Sequence, residues 1–101
     1  MKTRVASNAY LLWLCPGCKL VHQIKFGEGP GPTWVWNHNR EHPSISPSVM
    51  VRRTIGEEYI ETVCHCYVTD GIIQFLDDCT HSLKGQNVPI PDFPEYHEVS
   101  D

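Results

Sequence analysis

The sequence predicts a small, mostly β domain, α+β in class only through one short helical turn. Three observations predict it. Short apolar runs alternate with Gly, Pro and polar punctuation along the chain. A Cys15-Pro16-Gly17-Cys18 knuckle lies between two of those runs. The stretch from Cys64 to His81, CHCYVTDGIIQFLDDCTH, reads as a complete β-hairpin and holds three of the five cysteines and two of the six histidines.

The 101 residues suit one domain, 1–101. The start, MKTRVASNAYLLWLC, is faintly signal-like, but the apolar patch is short and no small-residue cleavage site follows it. It reads as a first strand over Ala9 to Cys15, and the chain is expected in the cytosol. In CPGC, Pro16 fixes φ and Gly17 permits positive φ, so the two sulfurs converge. Lys19 to Phe26 is a second strand, with Leu20, His22, Ile24 and Phe26 on one side. Strand, knuckle and strand together make a zinc-ribbon half-site.

Residues 27–32 (GEGPGP) form a loop, and Thr33 to Trp36 a short strand. Asn37 to Pro43 is polar. Ser44 to Arg53 is strand-like after Pro47, with Ile45, Val49 and Val51 in one alternating set. Gly56 to Glu58 turns the chain into Tyr59 to Tyr67. Asp70-Gly71 is a favoured two-residue turn. It sets Thr69 opposite Ile72, Val68 opposite Ile73 and Cys66 opposite Phe75. Cys64, Cys66, Val68, Ile73 and Phe75 then share one face, and His65, Tyr67, Gln74 and Leu76 the other. Asp77 and Asp78 followed by a segment closed by Gly85 read as a capped helical turn. Residues 88–101 are expected to be an extended, Pro-rich acidic tail, packed in part through Val88, Ile90 and Phe93.

Clustered cysteines in a reducing compartment argue for metal over disulfides. Zn²⁺ is preferred to iron because no cluster-type run of cysteines is present. A redox CxxC would open a helix in a βαβ unit, which is absent. By spacing, Cys15 and Cys18 supply two ligands. Cys64 and Cys66, on one face, are the simplest second pair. Cys64 with Cys79 is the rival, and His65, His81 and His22 are further options. If the site is catalytic, His65 or His81 would work beside Asp78. No HExxH or zinc-deaminase signature is present. Ser44, Ser46 and Ser48 lack a GxSxG elbow and are read as non-catalytic. Trp13, Trp34 and Trp36 are read as core, and His38, His42 and His97 as solvated.

The formal charge is −4, from twelve acids and eight bases. Such a balance argues against a nucleic-acid partner. No apolar run approaches the length of a membrane helix.

CPGCKLVH (Cys15 to His22), PSISPSVMVR (Pro43 to Arg52), CHCYVTDGIIQFLDDCTHSLKGQ (Cys64 to Gln86) and VPIPDFP (Val88 to Pro94) resemble a family of small zinc-binding proteins of tailed phages and prophages. The resemblance covers most of the chain. It supports Cys15, Cys18, His22, Cys64, His65, Asp78, Cys79 and His81. Relatives usually carry Ser at the position of Cys66, which demotes Cys66 and raises Cys79. The implied zinc ligands are thus Cys15, Cys18, Cys64 and Cys79, with His81 the first substitute. Some members carry an ammonia monooxygenase label, which implies a membrane copper enzyme that nothing in this chain matches. Distant relatives are similar to a zinc-binding component found beside bacterial ubiquitin-like conjugation genes. The expected function is a non-enzymatic phage or prophage accessory protein that binds a host or phage protein around a structural zinc. The alternative is a zinc-dependent hydrolase using His65 or His81 with Asp78.

Overall fold

The computed structural model describes residues 1–93. Eight strands form two antiparallel sheets. The smaller sheet joins β1 (Thr3–Ala6), β2 (Tyr10–Cys15) and β3 (Leu20–Lys25) in chain order. The larger joins β4 (Val35–Trp36), β5 (Ile45–Ile55), β6 (Ile60–Thr69), β7 (Ile72–Phe75) and β8 (Asn87–Pro89), also in chain order. β1 was not foreseen: polar Thr3 and Arg4 hide its edge-strand character, and Ser7 and Asn8 turn it back through positive φ.

Alternation builds one core from both sheets. β2 buries Leu11, Trp13 and Cys15, and β3 buries His22 and Ile24, while Leu20 stays 43% exposed. From the larger sheet come Val49, Cys64, Cys66, Val68, Ile73 and Phe75. Trp13 and Trp36 are core residues and Trp34 packs against them. Asp70 and Gly71 both take positive φ (53° and 77°), and the hairpin register pairs Cys66 with Phe75, Val68 with Ile73 and Thr69 with Ile72. The predicted split of faces is therefore observed, with Cys64 and Cys66 inward.

Between Ile45↔Val68 and Val49↔Cys66 the β5–β6 register shifts, so Ser46, Pro47 and Ser48 bulge where β6 supplies only Tyr67. Pro47 has no N–H to give a ladder, which is the local reason for the bulge.

The helical turn expected over 77–85 is not formed. The N–H of Thr80 bonds across to Val63 O on β6 (2.9 Å), and that of Gly85 returns to Phe75 O (3.0 Å). Short-range bonds, Lys84 N–H to His81 O and Gln86 N–H to Leu83 O, give isolated turns instead. The segment is thus a loop laid along the end of β6. The tail is packed as far as residue 93: Val88 pairs with Ile73, Ile90 is fully buried, and the Phe93 N–H bonds to Met1 O. The remainder of the expected tail, and His97, lie outside the described residues. Among the described residues no helix is long and apolar enough to cross a membrane.

Phe75 is 1% exposed at the centre of this core. Phe75→Ala should cost about 3–5 kcal/mol in urea unfolding, because a large aromatic leaves a cavity that strands on both sides hold open.

Candidate metal centre and adjoining triad

β2 ends at Cys15, and the knuckle closes by Lys19 N–H to Cys15 O (2.7 Å). The Cys18 N–H points at Cys15 Sγ (3.3 Å), as a zinc knuckle requires of a backbone donor beside a thiolate. Cys64 reaches the same point from the inner face of β6, with its sulfur 3.9 Å from that of Cys15. The loop after β7 delivers His81. One ligating atom from each of Cys15, Cys18, Cys64 and His81 lies within 4.8 Å of the others.

The environment fits a metal ion. His81 Nε2 is buried and meets no hydrogen-bond partner among the described residues, while Nδ1 faces the Leu83 N–H at 3.2 Å. A Cβ on Gly17 would stand 2.3 Å from the His81 ring, so the knuckle must carry glycine there for the imidazole to approach. The Cys15 thiol is pushed up to about 12 by its hydrogen bond with Cys64 and by burial. The Cys64 thiol is raised too: its contact with Cys15 pulls the other way, and the bond to Cys66 and burial outweigh it. Burial, and then Cys15, raise Cys18, and burial lowers His81. Three crowded thiols that resist ionising are a site where a cation must displace the protons on entry. Three thiolates and one imidazole complete a tetrahedral shell.

The other candidates are placed elsewhere. Cys79 Sγ accepts the His65 N–H and donates to His65 O (both 3.2 Å), pinning the loop to β6. Cys66 is buried one turn of the pleat beyond Cys64, outside the four-atom cluster. His22 is buried against the Trp13 ring with its Nε2, like that of His81, meeting no hydrogen-bond partner among the described residues, and it does not join the cluster.

On the opposite face of β6 lies a second constellation. Ser48 Oγ is 3.1 Å from His65 Nε2, and His65 Nδ1 is 3.0 Å from Asp78 Oδ2. Each nitrogen of one imidazole is thus engaged, by a hydroxyl on one side and a carboxylate on the other. That is the geometry of an activated nucleophile, a general base and its orienting acid. Ser48 is half-buried and the His65 and Asp78 side chains are 22% and 51% exposed, so a substrate can reach them. The contact of Ser48 with His65 was not anticipated from the sequence, in which Ser44, Ser46 and Ser48 are read alike. The available signal was Pro47: a proline inside a strand forces a bulge, and bulges re-aim side chains. The sequence offered His65 or His81 beside Asp78, for a zinc-dependent hydrolase, and the structure pairs His65 with Asp78. His81, the other candidate for that role, stands in the metal cluster instead.

Fold and site define a class: a two-sheet β domain whose Cys/His cluster could hold a metal ion and whose outer face carries a Ser-His-Asp array. Residues 1–76 match the model of the BubE family, described as bacterial ubiquitination-like system serine protease, and the chain belongs to that family. The matched span includes Ser48 and His65 and stops short of Asp78 and His81. No curated protein and no solved structure matches the chain.

Metal analysis of purified variants tests the ligand set. His81→Ala and Cys64→Ala should lose most of the metal, Gly17→Ala should weaken it by crowding the imidazole, and Cys79→Ala should retain it. Full metal content in His81→Ala, or loss in Cys79→Ala alone, would reverse the assignment.

Proposed function

We propose that the protein is a serine peptidase of a ubiquitin-like modification system, built around a structural zinc. The observation that carries the reading is the Ser48–His65–Asp78 array. The family description supports both the reaction class and the system. The substrate is an amide bond to the carboxyl end of a ubiquitin-like protein, in a precursor or in a conjugate.

Ser48 Oγ attacks the scissile carbonyl while His65 Nε2 takes its proton. Asp78 holds the Nδ1–H of His65, so Nε2 presents a lone pair to Ser48, and stabilises the imidazolium as it forms. His65 then passes the proton to the departing amine, leaving an acyl group on Ser48. Water, deprotonated by the same nitrogen, releases it. Cys15, Cys18, Cys64 and His81 would hold Zn²⁺, which would supply rigidity rather than a reacting group. Reduced cysteines in such a site suit the cytosol.

The competing proposal is the phage or prophage accessory protein that acts only by binding a host or phage protein. It requires no reactive serine. A fluorophosphonate probe should label Ser48, identified by peptide mass spectrometry. Labelling should vanish in Ser48→Ala, fall by about 10³-fold or more in His65→Ala, and persist in Ser46→Ala. An unlabelled wild-type protein with full metal content would favour the binding role.

A further inference from the structure

The edge of the larger sheet beside Ser48 is open, and the orientation of its backbone groups follows from the neighbouring strand. β4 covers β5 only at Ile45 and Ser46. Beyond Ser48 no strand lies on that side among the described residues. Opposed residues in an antiparallel ladder either exchange both hydrogen bonds or both turn away from each other. His65 gives its N–H to Cys79 Sγ and accepts from the Leu76 N–H. Val63 gives its N–H to Thr80 Oγ1 and accepts from the Thr80 N–H. Both spend their backbone groups on the loop, away from β5.

Met50 and Arg52, which oppose His65 and Val63, therefore turn their own N–H and C=O outward, to the open edge. Arg53, between them and Ile55, turns inward, where Thr62 Oγ1 donates to its carbonyl at 3.2 Å. Met50, Arg52 and Thr54 are exposed. At the other end Trp34 Nε1 donates to Ser48 O (3.1 Å), so the edge is closed just at the nucleophile and free beyond it.

We propose that this edge is the substrate-binding strand: an extended peptide adds antiparallel to β5 along Met50 to Thr54, with its scissile carbonyl at Ser48. The proposal rests on Ser48 being the nucleophile. The free space fixes which half of the substrate is read. β4 and Trp34 fill the edge on one side of Ser48, so only the Met50–Thr54 side can take a strand. An antiparallel peptide places the residues preceding the scissile bond there, and the leaving group departs toward Trp34 and Val35. The occupant is a flexible carboxyl-terminal tail, since a folded strand would have to leave its own sheet to pair. Main-chain bonds to Met50 and Arg52 provide affinity, and alternate substrate side chains fall on the face of Met50 and Arg52. Arg52, ion-paired to Glu61 at 3.2 Å, also keeps the edge from pairing with copies of this chain.

Arg52→Pro removes the outward N–H without removing a bond to β6, whereas Arg52→Ala keeps the N–H and removes the side chain. Hydrolysis of p-nitrophenyl acetate reads the triad without the edge, and a proteome-derived peptide library supplies a cleaved peptide for kinetics. Arg52→Pro should lower the ratio of peptide kcat/KM to ester turnover by about tenfold or more, and Arg52→Ala, which keeps the N–H, should lower that ratio by much less. An unchanged ratio in Arg52→Pro, or ester turnover with no library peptide cleaved, would overturn the edge and leave the triad standing. Absence of ester turnover and of Ser48 labelling would overturn both. Should Arg52→Pro not fold, amide exchange in Ser48→Ala decides: the cleaved peptide should slow exchange at Met50 and Arg52, and unaltered exchange there would overturn the proposal.

Discussion

The period of a β-strand is the constraint on which the rest of the structure depends. Adjacent residues of β6 point to opposite faces, so Cys64 turns into the core and His65 turns out. One peptide bond separates a candidate metal ligand from the imidazole of the triad. The loop after β7 repeats the arrangement, since it carries Asp78 to the outer face and His81 to the inner one. A cation on Cys64 and His81 would tie together the two pieces of backbone that must hold His65 and Asp78 in register. Cys79 reinforces the tie from between them by bonding to both backbone groups of His65. Such a tie would let a chain of 101 residues hold the Ser48–His65–Asp78 array on a modest core.

Ser48, the third member of the Ser-His-Asp array, reaches its place from another strand. Ser48 lies in β5, which runs beside β6 for most of its length. A regular ladder would fix its side chain by parity alone. The bulge adds two residues to β5 and so keeps the alternation: Ser48, next to buried Val49, faces outward as His65 does, and its hydroxyl lies 3.1 Å from His65 Nε2. β4 ends opposite Ser46, and among the described residues no strand covers the edge beyond Ser48.

Much of this was legible in the residues. The Asp70-Gly71 turn fixed the hairpin register and with it the opposite facing of Cys64 and His65, because turn chemistry is local. CPGC announced two candidate ligands for the same reason. The choice among Cys79, Cys66 and His81 depended on where a loop of non-periodic sequence would travel, and the helical reading of Asp77 to Gly85 missed that its donors bond to β6. The Ser48–His65–Asp78 array was hidden because it is a relation in space, with no sequence motif around the serine. Only Pro47, out of place in a strand, marked the bulge.

The central claim is that the metal cluster holds the triad together across β6. It is tested most directly by removing metal stepwise with a chelator while following the rate of fluorophosphonate labelling at Ser48 and the β-sheet signal by circular dichroism. The account predicts that labelling falls in proportion to metal lost and returns when Zn²⁺ is restored. Metal-free protein that stays folded and labels at the full rate would contradict it.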